Sequence, residues 1–327
     1  MVVSQVESFD WLVREGLKEV FKEFSSIKDF SEKKFTLDFT GFELDSPKYD
    51  EYYAKENKLS YEAPLKVRVR LENHIVKSVK EQEIFMADFP LMTSHGTFII
   101  SGIERVIVPQ LARTFGVAFT IQEVRGQRLF GAKIIPSRGA WIEIETDLEG
   151  VIYVRIDKKR KFPVTALLRA FGAKTDKDIL ALFAKAEGAK HFIEKTLSKD
   201  HTTTSEEAYI EIHKRLRDGD LATAENAKEF FDSIFGGERY DLSKVGRFRF
   251  NNRFGKGTSD KDIEHRTITL DDLFHILSHV VHLNITPGSV EDDIDHLGSR
   301  RVRYVGEMFQ QKIRVGTVSY THLRAHE

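Results

Sequence analysis

His275 and His279 stand four residues apart in LDDLFHILSHVVHL, with Asp271 one turn before and His282 one turn after. Residues i and i+4 share a helix face, so imidazoles at that spacing, with a nearby carboxylate, can chelate zinc or manganese and support a metal hydrolase. The same spacing also describes an amphipathic helix whose polar stripe happens to be rich in histidine. A second polar group is Glu291-Asp-Asp-Ile-Asp-His296. Its oxygens suit a hard cation, but it lacks the glycine and ligand spacing of a calcium loop. It also runs directly into Arg300, Arg301 and Arg303, which can pair with its carboxylates, and a charge-paired loop is the better physical reading. The third group is aromatic and charged. Trp141 opens a stretch that alternates apolar and acidic residues. It suits a core position; exposed beside Asp295 and Arg300, it would instead stack on an unpaired base while the charged pair read base edges. Spacing alone leaves both readings open.

Other chemistries lack their signatures. Neither phosphate-binding glycine loop, G-x-x-x-x-G-K-[ST] or G-x-G-x-x-G, occurs, and the G-x-S-x-G nucleophile elbow is missing. With no cysteine among 327 residues, disulfides and thiolate metal sites are excluded, which fits a reducing cytoplasm. Fifty basic residues face 51 acidic ones, so the chain as a whole is no generic polyanion binder. Any nucleic-acid contact must come from local runs: Arg155–Lys161, Arg247–Arg253 and Arg300–Arg303. Taken singly, each reads as a solvated face. The first residues turn acidic by Glu7 without an apolar segment, unlike a secretory leader. No apolar run approaches the roughly 18 residues of a membrane span.

The elements that must position these groups are legible from periodicity. Phe9, Leu12, Val13, Leu17, Val20, Phe21 and Phe24 predict an amphipathic helix over 6–24. Phe35, Leu37 and Phe39, then Leu65, Val67, Val69 and Leu71, alternate as half-buried strands do. Thr97–Ile100 and Arg105–Val108 predict two well-buried strands around a tight turn at Ser101-Gly102. Strands are expected at 133–135, 141–145 and 151–156, the last two joined through Asp147–Gly150. After Pro163, read as a first helical residue, the pattern turns helical: VTALLRAF closed by Gly172, then 176–196, 204–218, 224–235 and 269–283. The last of these has Thr269 as cap and Asp272 three residues on. Strands first and helices afterwards predict an α+β fold, and 327 residues leave room for about two domains.

Read in order, SFDWLVREGLKEVFKEFSSIKDF, SYEAPLKVRVRLEN, KEQEIFMADFPLMTSHGTFIISGIERVIVPQLARTFGV, AKIIPSRGAWIEIETD, VRIDKKRKFPVTALLRAFG, RYDLSKVGRFRFN and DDIDHLGSRRVRYVGEMFQQKIRVG are long and collinear motifs. Together, over residues 4–316, they resemble the N-terminal part of the beta subunit of bacterial RNA polymerase. The resemblance implies a mixed strand-and-helix protrusion over residues 1–112, an α+β lobe over 113–290, and a return of the chain into the protrusion over 291–316. The lobe is short between RKFPVTALLRAFG and ERYDLSKVG, where some members carry long insertions.

For the site, the resemblance implies a pocket in which Trp141, Asp295 and Arg300 hold an unpaired non-template-strand base at the downstream edge of the transcription bubble, with Arg113 near the same fork. Those side chains suit such a role: an indole to stack on, a carboxylate acceptor and a bidentate guanidinium donor. Val108 and Gln110 match N-terminal contributors to the family's rifamycin-binding region. The implied activity of the whole subunit is DNA-templated transfer of nucleotides from triphosphates to an RNA end, with DNA and the alpha, beta-prime, omega and sigma subunits as partners. No cofactor is expected in this chain, because Mg²⁺ in the assembled polymerase is held mainly by the beta-prime subunit. This stretch alone is expected to be catalytically inactive and its setting cytoplasmic, at the nucleoid, with no membrane. A free-standing, non-enzymatic DNA-binding module derived from the lobe is the alternative.

There are departures from the family's pattern. Pro109 and Ser299 stand where Ser and Asn are usual, and Thr114-Phe115 replaces a Ser-Pro step beside Arg113. After Gly316 the family continues as a long charged helix, whereas this chain reads TVSYTHLRAHE. Thr317-Val-Ser-Tyr-Thr are poor helix continuers, and residues 317–327 read as a non-native tail.

Overall fold

The computed structural model describes residues 2–29, 34–217, 222–237 and 239–324, with the side chains of 28 and 318–324 left aside. Residue 218, the expected end of one helix, and the last three residues of the tail lie outside the described residues. The chain forms two units, residues 1–112 with 302–327, and residues 113–301.

In the first unit the leading helix is α1 (Val2–Trp11) and α2 (Leu17–Glu23), joined by one π turn over Leu12–Gly16. The apolar spacing contains that turn: Leu12 to Leu17 is a step of five, and both side chains are fully buried. After β1 (Ile27–Lys28) come β2 (Phe35–Leu44), the short helix α3 (Glu51–Glu56), β3 (Glu62–Asn73) and β4 (Ser78–Pro90). The four strands form an antiparallel sheet in the order β1-β2-β3-β4. Ala63, Leu65, Val67 and Val69 of β3 point to the buried face, as alternation requires. Phe9, Phe21, Phe89 and Phe98 close over them, so aromatic rings fill much of this core.

β5 (Phe98–Ile100) and β6 (Ile103–Arg105) pair across Ser101-Gly102, whose φ values of 52° and 77° make the two-residue turn that hairpins favour. Glycine is required there, since a Cβ on Gly102 would lie 2.7 Å from Lys58 Cα. The second strand differs from the expected Arg105–Val108. The turn pairs Ile100 with Ile103, so the strand begins at once, and β6 is exposed along its whole length. Val106 and Val108 are exposed rather than buried. They lie past the last ladder pair, Phe98 with Arg105, ahead of a proline that has no N–H to give.

The chain passes into the second unit within β7 (Gln110–Arg113). An antiparallel meander follows: β8 (Gly116–Val124), β9 (Gln127–Ile135), β10 (Ile142–Thr146), β11 (Ile152–Ile156) and β12 (Phe162–Pro163), in the order β12-β11-β10-β9-β8. Asp147 shapes the β10–β11 turn, its carboxylate accepting from the backbone N–H of Glu149 and Val151. The helices are α4 (Val164–Ala170), α5 (Asp176–Leu182), α6 (Ala189–Lys199), α7 (Ser205–Leu216), α8 (Ala224–Phe235), α9 (Ser243–Arg253) and α10 (Leu270–Ile285). Pro163 sits one residue ahead of α4, at the cap rather than the first helical position. The single helix expected over 176–196 is two helices, parted before Gly188, which caps α6 with φ +71°. Thr175, Thr204 and Thr269 close capping boxes with Asp178, Glu207 and Asp272.

α9 has no apolar stripe, which is why periodicity passes over it. Its buried face is Gly246, Arg247, Phe250 and Asn251, and polar pairing there works beside the packing of Phe250 in the core. Arg247 donates to Asp272 at 2.9 Å and to the Thr267 carbonyl, and Asn251 donates to the Gly257 carbonyl at 2.7 Å.

The chain leaves the second unit within β13 (Arg300–Arg303) and ends in α11 (Val305–Arg324). In the first unit α11 packs on the leading helix. A Cβ on Gly306 would fall 2.1 Å from the Ser8 carbonyl oxygen, and Gln310 donates to the Gly16 carbonyl at 3.0 Å. A π turn disturbs the in-helix pairing of carbonyls, and this amide supplies a partner. Contrary to the expectation at Thr317, the helix continues to Arg324. Extending an existing helix costs little per residue compared with starting one, and the side chain of Thr317 is buried. The fold is α+β.

Candidate functional site

Residues 291–301 of the second unit form a loop held by polar contacts. The Asp292 N–H donates to the Phe119 carbonyl at 3.0 Å, and its carboxylate accepts from the Phe119 N–H at 2.7 Å. Arg253 of α9 grips the same carboxylate with both terminal nitrogens, at 2.7 and 2.8 Å, and lies over the Phe119 ring at 4.6 Å. Asp293 then folds the chain by accepting from the N–H groups of Asp295 and His296, both at 3.0 Å. His296 Nδ1 accepts from Gly298 N–H, and a single 3₁₀ turn follows over Leu297–Ser299. Arg249 donates to the Gly298 carbonyl at 2.9 Å. The Ser299 carbonyl accepts from both Thr114 N–H and Thr114 Oγ1, at 3.1 and 2.6 Å.

Between these anchors Arg300 donates to Asp295 at 2.8 Å. The Asp295 side chain is 80 % exposed and that of Arg300 is 35 % exposed. The contact uses one of the five donors on the guanidinium, so acceptor and donor edges both remain on offer. The expected pairing of this loop with the arginines that follow it is seen between Asp295 and Arg300. Asp292 belongs to Arg253, Glu291 to Arg128 at 3.1 Å, and Arg303 to Glu307 at 3.4 Å.

Trp141 is half-buried, at the mouth of β10. Its backbone is fixed by Asp157, whose carboxylate accepts from Trp141 N–H at 2.9 Å and whose N–H donates to the Trp141 carbonyl at 2.9 Å. Register pairs Ile142 with Ile134, and Ile135 with Gly116. Trp141 therefore shares the sheet end of Ile135 and Gly116, two residues from the Thr114 that holds Ser299. Among the described residues no hydrogen bond or ring contact joins its indole to Asp295 or Arg300. Arg113 is exposed and lines a cleft of about 280 Å³ with Phe115, Gly116, Ile135, His296 and Ser299. Arg301 lies over the Phe115 ring at 4.1 Å. Val108 and Gln110 lie in the first unit, both exposed.

The histidines of α10 are drawn into packing. His279 meets Phe119 edge to face at 4.4 Å, and His275 lies 5.6 Å from the Phe254 ring. Burial pushes both imidazoles below their ordinary value, aided by Lys256 beside His275 and by Arg253 beside His279. Among the described residues no group of three or more His, Cys, Asp or Glu is placed to hold a metal ion. No helix among them is long and apolar enough to cross a membrane.

The residues that sequence reasoning missed are Arg249, Arg253 and Asp292. The run Arg247–Arg253 reads as a solvated face. In the structure Arg247 is buried, and the other two arginines hold the loop. The signals present were the basic run itself, the motif that contains Arg249 and the four-residue spacing.

Residues 110–303 match the family profile described as RNA polymerase Rpb2, domain 2. The DNA-directed RNA polymerase subunit beta of Chloroflexus aggregans (strain MD-66 / DSM 9485) is similar at 42 % identity over 347 aligned positions, covering 97 % of this chain and 28 % of that protein. That of Syntrophomonas wolfei subsp. wolfei (strain DSM 2245B / Goettingen) is 42 % identical over 320 positions, with the same coverage. The chain thus spans 28 % of the length of these curated relatives.

Proposed function

Since the chain belongs to the family of RNA polymerase Rpb2, domain 2, we propose that it is a DNA-positioning portion of a DNA-directed RNA polymerase beta subunit. Its second unit takes one unpaired base of a DNA strand at the exposed Asp295–Arg300 pair. The observation that carries this is the pair itself, held at 2.8 Å on a loop anchored through Asp292, Gly298 and Ser299. A carboxylate accepts from base amino and imino groups, and a guanidinium donates to the O6 and N7 type of acceptor edge. Trp141, on the strand end that Gly116 and Ile135 share, supplies an aromatic face. Stacking on such a face contributes about 1–3 kcal/mol per base whatever its identity. Arg113, exposed on the neighbouring cleft, attracts the phosphate backbone.

In this reading the whole subunit takes part in DNA-templated nucleotide transfer to an RNA end, together with alpha, beta-prime, omega and sigma subunits. That chemistry uses two metal ions to align the attacking and leaving oxygens. The carboxylates that hold Mg²⁺ are assigned to the beta-prime subunit, so this stretch by itself positions DNA and makes no bonds. Val108 and Gln110 are its contribution to a rifamycin-type site completed by sequence elsewhere in the subunit.

The test is binding of the 327-residue chain to forked DNA duplexes that differ only in the unpaired base. Arg300→Ala is expected to weaken binding and flatten the preference among bases, whereas Lys158→Ala weakens all sequences alike. A uniform loss in both variants would refute the base-reading role.

A further inference from the structure

The loop that carries Asp295 and Arg300 has little apolar anchorage of its own. Asp293, Asp295, His296, Leu297 and Gly298 are all exposed. Its shape therefore depends on the polar contacts it makes, and two of the strongest come from one helix. Arg249 and Arg253 lie four residues apart on α9, hence on one face. The first holds the Gly298 carbonyl at 2.9 Å, two residues before Arg300. The second holds both oxygens of Asp292, three residues before Asp295.

α9 is itself fixed. Arg247 pairs with Asp272 in the interior. Gly246 lets the helix approach so closely that a Cβ there would meet the Phe115 Cβ at 3.0 Å and Gly116 N at 3.4 Å. A rigid helix thus bridges to both ends of an otherwise exposed turn.

We propose that α9 sets the geometry of the Asp295–Arg300 pair, with Arg249 and Arg253 as positioning residues. This rests on the base-reading role proposed above. An Arg engaged with a protein carbonyl and an Arg engaged with a protein carboxylate serve the loop first. Their substitution changes how Arg300 is presented rather than how many phosphates are neutralised.

The two modes differ in a measurable way. Each phosphate contact contributes about 0.9 to the slope of log affinity against log salt, whereas a positioning residue leaves that slope unchanged and alters base discrimination. The experiment measures binding of the full chain to forked duplexes carrying each of the four unpaired bases, over a salt series. The variants are Arg249→Ala, Arg249→Lys, Arg253→Lys and Arg300→Ala. Arg249→Ala should retain the wild-type salt slope and flatten base preference to within about twofold of the Arg300→Ala result. Arg249→Lys, which keeps a donor for the Gly298 carbonyl, should restore most of the preference. Arg253→Lys, which keeps the charge and loses the fork, should flatten it in part.

A drop of about one in the salt slope of Arg249→Ala with base preference intact would make Arg249 a phosphate contact and overturn the proposal. No change in either quantity would overturn it equally. If Arg300→Ala itself leaves base preference untouched, the base-reading role fails and the positioning role with it. If Arg300→Ala flattens preference and Arg249→Ala does not, only the positioning role fails.

Discussion

Arg300 reaches back to Asp295, five residues earlier in the chain, and donates to its carboxylate at 2.8 Å while the carboxylate remains 80 % exposed. Ion pairs in water contribute about 0–1 kcal/mol because solvent competes and two side chains lose freedom. The pair therefore does little for the fold. Its surroundings are more firmly built: Asp292, Asp293, His296, Gly298 and Ser299 all have hydrogen-bond partners that fix the backbone on either side.

It follows that Arg300→Ala leaves folding stability nearly unchanged, within about 1 kcal/mol by urea denaturation of the whole chain. A loss of several kcal/mol would show that the pair is a structural clasp.

The buried pair behaves oppositely. Arg247 and Asp272 have side chains only 5 % and 3 % exposed. Asp272 also accepts from Lys256 at 3.1 Å and from the Thr269 N–H at 3.0 Å. Asp272→Ala strands a guanidinium away from water and opens the α10 capping box. A destabilisation of about 3–5 kcal/mol is expected, visible as a fall in the urea midpoint at unchanged slope. A change below about 1 kcal/mol would contradict the pairing.

The π turn gives a third prediction. Gln310→Ala removes the donor to the Gly16 carbonyl and to Glu19, at a cost of about 1–3 kcal/mol for an acceptor left buried. Amide hydrogen exchange should quicken in 12–23 more than in β3. Uniform quickening would argue against a local role for this contact.

Acid should weaken the second unit through two histidines of α10. His275 and His279 have folded values below their ordinary 6.5, through burial first and then through Lys256 and Arg253. His279 also faces His282, Asp292 and the Phe119 ring. A lowered imidazole value means that the unfolded chain binds more protons, so stability rises with pH. This contribution is complete above pH 6.5 and disappears as pH falls through the lower folded value. The urea midpoint should begin to drop as pH falls through 6.5, and the His275→Gln/His279→Gln variant should show a shallower drop. Equal pH dependence in both proteins would exclude these rings as the cause.

Much of the fold was legible because its elements bury apolar stripes. The alternation in β3, the Thr269–Asp272 cap and the Asp147–Gly150 turn are local signals that the tertiary structure keeps. α9 was not legible, because its buried face mixes Gly246 and Phe250 with Arg247 and Asn251, whose partners lie on other segments. The exposure of Val106 and Val108 was hidden for a similar reason: apolar composition does not reveal where a ladder stops. At the site, the motif resemblance named Asp295 and Arg300, and the structure brings them together. Among the described residues no hydrogen bond or ring contact joins the Trp141 indole to either. Arg249 lies in a quoted motif and Arg253 in a named basic run, but their role in holding the loop is set by where Gly298 and Asp292 fall in space.

The central claim is that one unpaired base is held at Asp295–Arg300 against Trp141, and fluorescence tests it most directly. A forked duplex carrying 2-aminopurine as its single unpaired base is titrated with the 327-residue chain. Stacking of the base on the indole should quench the probe on binding. Trp141→Ala should abolish the quench while DNA is still bound, and Arg300→Ala should reduce it. Binding with the same quench in all three proteins, or with none in the wild type, would contradict the account.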